Sequence, residues 1–343
     1  MALLAIAGCV VLVLVASGSS WFDKPAIQIL ATQTNEPTFV GSQACSGCHA
    51  TEAKLWRGSQ HGHAMDHATE QSVQADFNDT TFDYAGTRSR FFRKDQKFLV
   101  ETDGPDGKLA TFEIKFAFGV EPLQQYLIEF SDGRIQALSI AWDTRPKDQG
   151  GQRWFHLYPD AAITHDDPLH WTKPNQNWNF MCAECHSTGV RKNYDDATDH
   201  FATKFAEISV GCEACHGAGS RHVAWAHQNP AARGANNGLL VTFDERTGIT
   251  WSPKADSSTP KRSAPASALR KEVETCGLCH ARRDQISEEW RPGRPLSETH
   301  RVSLLDRRYF HADGQMRDDE AVQLRSLQAE QNVRHGRHLQ RLP

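Results

Sequence analysis

Residues 182–186 read Cys-Ala-Glu-Cys-His, and this five-residue pattern occurs four times in the chain. In each copy two residues separate the cysteines, and a histidine follows the second cysteine directly. The other copies are Cys-Ser-Gly-Cys-His at 45–49, Cys-Glu-Ala-Cys-His at 212–216 and Cys-Gly-Leu-Cys-His at 276–280. Histidine makes up only 17 of the 343 residues, so composition does not explain four histidines in the same place. The repeat indicates one chemistry that is used four times.

A C-x-x-C-H segment is the attachment signature of c-type haem. The two thiols bond to the vinyl groups on one edge of the porphyrin, and the histidine places its imidazole over the iron as an axial ligand. The sequence therefore predicts four covalently attached haem c groups, each with one iron. The predicted attachment residues are Cys45, Cys48, Cys182, Cys185, Cys212, Cys215, Cys276 and Cys279, and the predicted axial ligands are His49, His186, His216 and His280.

Zinc binding and disulfide formation are the alternative uses of these cysteines. Two pairs with a spacer of moderate length, such as those at 182–185 and 212–215, could hold a structural zinc ion. Zinc does not require a histidine after every pair, whereas here that histidine is never missing. Disulfides within C-x-x-C pairs would be strained, redox-active bridges. Haem attachment is favoured because it accounts for both the cysteine spacing and the histidine.

Each iron needs a sixth ligand or keeps an open face, and the chain has more histidines outside the motifs than four haems require. His61 lies in a helix predicted from Thr51 to Met65, and His222 follows a glycine-rich turn after the third motif. His156, within an aromatic strand, is better explained as a packed core residue. The remaining candidate ligands are His170, His300 and His311.

The chain between the first and second motifs has a different character. From about residue 77 to residue 158 it is rich in aromatic and β-branched residues, and turn clusters at 103–107 and 131–133 divide it. We expect an antiparallel β insertion here, with 134–142 as one strand of a hairpin. The predicted fold class is α+β, with mainly short helices and loops around stacked haems. The fourth motif is expected to open a helix that ends before residue 291.

The N-terminus indicates export. Ala2 to Ala16 form an almost unbroken apolar run, which is shorter than the roughly 20 residues of a membrane span. We expect residues 1–20 to be a signal peptide or a short membrane anchor, with 21–38 as a linker; a buried core helix is the alternative. A periplasmic or exported location suits covalent haem, whose attachment depends on the cytochrome c maturation machinery.

Charge and composition narrow the choice of partners. The chain has 38 Lys and Arg residues against 42 Asp and Glu residues, a net charge of −4. No basic block is long enough to follow a phosphate backbone, so nucleic acid is not an expected partner. The hydrophobic content of 39% is low for a globular chain of this length, which fits an interior that is partly filled by haem.

Several longer stretches resemble the cytochrome c-552/c-554 family of multihaem c-type cytochromes, especially members that continue into tetratricopeptide repeats. The resemblance covers about residues 39–317, which we predict to be the multihaem domain. It implies stacked haems with mainly bis-histidine ligation, and electron transfer in a respiratory chain with redox proteins or quinol-linked donors. The segments that carry it are 39–45 (FVGSQAC), 124–127 (QQYL), 151–159 (GQRWFHLYP), 177–186 (NWNFMCAECH), 212–217 (CEACHG) and 309–315 (YFHADGQ).

Two alternatives to an electron carrier remain. Longer relatives have a further haem motif after the 309–315 segment, whereas residues 318–343 form an atypical tail without cysteine. A frameshift or truncation would make the chain a remnant of a longer pentahaem protein with repeats. The other alternative is a multihaem oxidoreductase acting on a small nitrogen or sulfur compound, which needs an open iron and acid–base groups beside it. No catalytic residue is identified, and a carrier is favoured over an enzyme.

Overall fold

Antiparallel β structure fills the chain between the first and second motifs in the computed structural model, which describes residues 36–254, 257–265, 270–303 and 311. Nine strands form one sheet in the order β2-β3-β4-β5-β6-β8-β9, with β1 added to β5 and β7 to β6. The strands are β1 (Met65–His67), β2 (Thr80–Tyr84), β3 (Thr87–Lys94), β4 (Lys97–Asp103), β5 (Leu109–Phe118), β6 (Leu123–Glu129), β7 (Ile135–Ala137), β8 (Ile140–Asp143) and β9 (Arg153–His156). The predicted α+β class with substantial antiparallel sheet is confirmed.

The four motifs lie on short helices outside this sheet. α1 packs against α5 and α4 against α7, which places the first motif beside the third and the second beside the fourth. The helices are α1 (Ser42–Ser46), α2 (Ala50–Arg57), α3 (Trp178–Met181), α4 (Ala183–His186), α5 (Cys212–His216), α6 (Ser220–Ala226) and α7 (Lys271–His280). Three two-stranded sheets join β10 (Tyr194–Asp195) to β11 (His200–Phe201), β12 (Trp251–Lys254) to β13 (Ser257–Arg262), and β14 (Arg283–Gln285) to β15 (His300–Val302).

The expected leader (1–20) and the atypical tail (318–343) lie outside the described residues. Within the described ranges, no helix has the length and apolar character that crossing a membrane would require.

The large sheet has a side-chain core of its own. Phe77 is buried and makes edge-to-face contacts with Phe91, Phe98, Tyr126 and Trp154, with ring centres 5.1–5.7 Å apart. Buried and less buried residues alternate along β4, as expected for a strand with one face against a core. Burying one large apolar side chain stabilises the fold by about 1.5–3 kcal/mol. This part of the chain therefore has an interior built from side chains.

Polar side chains fix the second motif to the sheet. Asn177 caps α3 by accepting a hydrogen bond from the backbone N–H of Phe180 (2.9 Å), and its amide donates to Gln136 Oε1 (3.0 Å). Asn179 Oδ1 accepts from the backbone N–H of Ile135, the first residue of β7 (2.7 Å). Because all three amide side chains are buried, their orientation relative to the sheet is strongly determined.

Three local predictions were wrong. The helix expected over residues 51–65 ends at Arg57, because the chain turns at Gly58 and Met65 pairs with Phe118 in β1. The strand expected over 134–142 divides into β7 and β8. The fourth motif closes α7 instead of opening a helix.

Candidate haem attachment sites

Each motif forms about one turn of helix. The backbone N–H of His49 donates to Cys45 O (3.0 Å), and that of His186 donates to Cys182 O (3.1 Å). The third and fourth motifs lie within α5 and at the end of α7. All eight motif cysteines are free thiols. Two thiols and one imidazole therefore emerge from the same turn at each motif.

Two of the four motif histidines face a second histidine. The ring centres of His49 and His222 are 6.1 Å apart, and their planes differ by 30°. The ring centres of His61 and His280 are 6.2 Å apart, with planes at 82°. Metal–imidazole bonds are about 2 Å long and the ring centre lies about 1 Å behind the nitrogen, so imidazoles on opposite sides of one metal have centres about 6 Å apart. The ring-centre separation of both pairs therefore matches the separation expected across one iron.

Hydrogen bonds and burial favour the neutral imidazole that a metal requires. His222 Nδ1 lies 2.8 Å from Asn237 O, and His186 Nδ1 lies 2.8 Å from Ala64 O. A ring that donates from Nδ1 to a carbonyl leaves Nε2 free as the ligand atom. Burial also lowers the pKa of His61, His186, His216 and His280 below the ordinary value, which disfavours the protonated form.

The other candidate ligands are placed differently. Both ring nitrogens of buried His170 have protein partners: Thr172 Oγ1 at 2.9 Å and Asp103 Oδ2 at 3.2 Å. His300 is likewise buried, with Thr299 Oγ1 at 2.9 Å and Glu184 Oε1 at 3.1 Å. Neither histidine has a free nitrogen in this arrangement.

His311 is exposed, and the residues on either side of it are outside the described ranges. His156 is a packed core residue: it is 6% exposed, stacks on Tyr84 with ring centres 3.6 Å apart, and accepts a hydrogen bond at Nδ1 from the backbone N–H of Tyr158.

His186 and His216 have aromatic neighbours where the other two motif histidines have histidines. The ring centre of Phe118 is 5.1 Å from that of His186, and Phe243 is 5.2 Å from His216. In the described part of the chain, neither ring makes a ring contact with another histidine. Among the described residues, the structure thus separates the motifs into two with a facing histidine and two without one.

Glutamates between the motif cysteines hold the motifs together, and the sequence analysis missed them. Buried Glu213, from the third motif, accepts hydrogen bonds from the backbone N–H groups of Val40 (2.9 Å), Gly41 (2.7 Å) and Gly219 (2.7 Å). This carboxylate therefore ties the third motif to the segment that enters the first. An acidic residue at an inner position of a motif was the available signal.

Glu184 has the corresponding role in the second motif. Its carboxylate lies 2.6 Å from Arg283 Nη2, accepts a hydrogen bond from Gln285 Nε2 (2.7 Å) and contacts His300. Burial acts to raise the pKa of Glu184, but the hydrogen bond from His300 and the charge of Arg283 outweigh it, and the pKa is lowered. Because Arg283 and Gln285 belong to β14, Glu184 connects the second motif to the strand that follows the fourth.

The motif pairs also meet at their thiols. Cys45 lies within hydrogen-bonding distance of Cys212, and Cys185 within hydrogen-bonding distance of Cys279. Trp56 Nε1 adds a hydrogen bond from α2 to Val210 O, just before the third motif (2.8 Å). Attachment edges from different motifs are therefore neighbours.

Large apolar side chains beside the motifs are exposed to an unusual degree. Leu55, Phe180, Met181 and Ile286 are 57%, 65%, 58% and 70% exposed. Phe180 and Met181 directly precede the second motif, and Ile286 follows β14. A haem is a large, mostly apolar plate, and its faces are suitable partners for these side chains. Together with the free thiols and the facing histidines, they show that the residues present fit covalently bound haem.

The family model described as cytochrome c554 and c-prime matches residues 44–90 and 161–217. Among solved structures, the outer cell wall cytochrome OcwA is similar with a TM-score of 0.50 and 18% identity, covering 83% of this chain and 50% of that one. The chain thus spans about half the length of OcwA. An undecahaem cytochrome from the S-layer of Carboxydothermus ferrireducens gives a TM-score of 0.36 and 16% identity, covering 71% of this chain and 25% of that one. No curated protein sequence matches the chain.

The matched residues contain the first, second and third motifs, and the likeness to OcwA is one of fold. Covalent haem attachment explains both the four helical C-x-x-C-H turns and this family match. The chain is a multihaem c-type cytochrome that is similar to cytochrome c554 over residues 44–90 and 161–217.

Proposed function

We propose that the chain is an exported tetrahaem electron carrier of a periplasmic respiratory chain, with redox proteins or quinol-linked donors as its partners. The observation that carries the proposal is the pair of facing imidazoles at two motifs, with ring centres 6.1 and 6.2 Å apart. Covalently bound haem supplies an iron that takes up and releases one electron.

In this proposal the distal ligands come from distant parts of the chain. His222, which follows the third motif, completes the iron site that begins at His49. His61, which follows the first motif, completes the site that begins at His280. An iron with two histidine ligands has no vacant position for a substrate, so these two sites favour electron transfer over substrate chemistry.

The packing of the motifs supports transfer between haems. Glu213 holds the third motif against the entry to the first, and Glu184 holds the second motif against β14 after the fourth. Haems attached at neighbouring thiols would lie close together, with little solvent between them. A fixed, dry arrangement keeps the reorganisation that accompanies each electron step small.

Reduction of a small nitrogen or sulfur compound is a second candidate function. It is favoured by one observation: His186 and His216 are next to Phe118 and Phe243, with no facing histidine among the described residues. An iron at either motif would then have an open face. The chain would be an oxidoreductase if such a face also met acid–base side chains and substrate.

The first experiment is the intact mass and the reduced optical spectrum of protein purified from a periplasm that has haem attachment machinery. We expect four covalent haems and sharp low-spin bands. His61→Ala and His222→Ala should each convert one haem from low spin to high spin, whereas exposed His200→Ala should not. Fewer than four haems, or low-spin spectra unchanged in both variants, would contradict the proposal.

Ligand addition separates the carrier from the oxidoreductase. Carbon monoxide, nitrite or hydroxylamine should leave the wild-type spectrum unchanged if every iron is six-coordinate. A spectral change in the wild type would identify an open iron and favour the second candidate. His61→Ala provides the positive control, because it opens one site by design.

A further inference from the structure

Trp225 stacks on His222, one of the facing histidines. The ring centres of His222 and Trp225, both on α6, are 5.5 Å apart and their planes differ by 20°. Trp225 Nε1 donates to Gly234 O (3.0 Å), and the guanidinium of Arg233 lies over the indole, 5.1 Å from its centre. The imidazole of His222, the indole of Trp225 and the guanidinium of Arg233 therefore form a stack.

The loop after α6 fixes both rings through backbone carbonyls. Gly234 O accepts from the indole, and Asn237 O lies 2.8 Å from His222 Nδ1. Gly238 has φ +77°, and a Cβ at this position would lie 2.7 Å from the carbonyl carbon of Arg221 and 2.9 Å from the nitrogen of His222. Only glycine allows this close approach, so the loop is held tightly against the start of α6.

The two facing pairs differ in the orientation of their rings. The planes of His49 and His222 are near parallel, at 30°, and those of His61 and His280 are near perpendicular, at 82°. In the part of the chain that the structure describes, the His61 and His280 rings have no stacked aromatic partner like Trp225. The near-parallel pair is the one that contains a histidine, His222, stacked on a tryptophan.

We propose that Trp225 is a positioning residue for His222, holding its imidazole plane near parallel to that of His49. This inference rests on the proposed function, in which His222 is the distal ligand. A single hydrogen bond to Asn237 O fixes the position of Nδ1 but still allows the ring to tilt. The stacked indole removes that freedom, and the guanidinium of Arg233 packs over the indole.

The angle between axial imidazole planes has a spectroscopic signature in low-spin ferric haem. Near-parallel planes separate the energies of two iron d orbitals and give a rhombic electron paramagnetic resonance (EPR) signal. Near-perpendicular planes leave those orbitals almost equal in energy and give a signal with a larger maximum g-value. We therefore expect the His49–His222 pair to give a rhombic signal and the His61–His280 pair to give a large-g signal.

The test is the EPR spectrum of the four-haem protein in six forms: wild type, Trp225→Leu, Trp225→Phe, Arg233→Ala, His222→Ala and the control Trp251→Leu. Trp225→Leu should shift the maximum g-value of the rhombic signal upward, and Trp225→Phe, which keeps an aromatic ring, should retain it. Arg233→Ala changes an exposed side chain and should give a smaller shift in the same direction. It serves as the decisive variant if Trp225→Leu does not take up four haems. Trp251→Leu is the control, because this tryptophan is in β12 and does not stack on a histidine.

The outcomes distinguish the two proposals. If His222→Ala removes the rhombic signal but Trp225→Leu or Arg233→Ala leaves it at its wild-type g-values, the positioning role is overturned and the ligand assignment stands. If His222→Ala leaves the rhombic signal in place, the ligand assignment fails, and the positioning role fails with it. Loss of the rhombic signal in His222→Ala, together with an upward shift of its maximum g-value in Trp225→Leu and Arg233→Ala but not in Trp225→Phe or Trp251→Leu, supports both.

Discussion

At the residue scale, His170 and His300 differ from His222 because both of their ring nitrogens have protein partners. The C-x-x-C-H spacing is local, so its chemistry can be read from five residues. His170 and His300, in contrast, are explained by Asp103 and Glu184, which are 67 and 116 residues away in sequence. No local pattern distinguishes them from His61 and His222. Long-range partners decide which histidines have a nitrogen free.

Glu213 provides the first prediction at this scale. Glu213→Gln keeps the size of the side chain but removes the charge, and the amide NH₂ cannot accept the backbone N–H groups of Val40 and Gly219 together with that of Gly41. Loss of charge-assisted hydrogen bonds at a buried site costs about 1–3 kcal/mol. With haem attached, we expect a lower thermal midpoint for Glu213→Gln than for the wild type. Glu129→Gln, on an exposed glutamate of β6, is the matched control. Equal thermal midpoints for the two variants would contradict the role of Glu213 in holding the third motif against the segment that enters the first.

At the element scale, the β insertion was predicted because its signals are local. The turn clusters at 103–107 and 131–133 lie between β4 and β5 and between β6 and β7, where the chain reverses. The division of 134–142 into β7 and β8 could not be read in this way. Leu138 N donates to Tyr126 O, so the chain is still bonded to β6 just after β7 ends. β7 and β8 nevertheless pair with different parts of β6, and Ser139 lies between them. Such a division depends on which strands pair in the folded protein. It cannot be predicted from the local pattern of residue types, because that pattern is the same for one strand or two.

His156, the last residue of β9, makes the stability of the large sheet depend on pH. Burial lowers the pKa of His156 from 6.5 to about 4, so between these values the unfolded chain binds a proton that the folded chain does not. Stability should therefore fall as the pH is lowered from about 6.5 to about 4, by up to about 3 kcal/mol. His170, Asp103 and Tyr84 face the same small cavity. The pKa of Asp103 is lowered, because the hydrogen bond and charge of His170 outweigh its burial, so its own contribution is lost only at lower pH.

The measurement is the free energy of unfolding against pH, followed by far-ultraviolet circular dichroism. His156→Gln keeps an acceptor for the backbone N–H of Tyr158 but does not titrate, so its curve should be flatter than that of the wild type between pH 6.5 and 4. His200→Gln, on an exposed histidine, should follow the wild type. Parallel curves for His156→Gln and the wild type would show that the burial of His156 has no effect on stability.

At the scale of the whole molecule, two parts of the chain are stabilised by different means. The large sheet buries Phe77, Phe91, Tyr126 and Trp154 against one another. The motif segments instead consist of helices of 4–10 residues, with Phe180, Met181 and Ile286 exposed beside them. Helices this short are not stable in isolation. Haem is the component that would complete the interior of the motif segments, whereas the sheet already has its interior.

This difference predicts how the chain behaves without haem. When it is produced in a periplasm that lacks haem attachment machinery, limited proteolysis should first cut the motif segments and leave a protected fragment of about residues 75–172, which contains the sheet core from Phe77 to Trp171. Proteases cut where local unfolding is least costly, and without haem that is the motif region. The haem-loaded protein, treated in parallel, should resist cleavage in both regions. Mass spectrometry of the fragments identifies the cut sites. Early cuts within β3 to β6 would show instead that the sheet needs the haem-bound segments, and that the side-chain core around Phe77 is not enough to keep it folded.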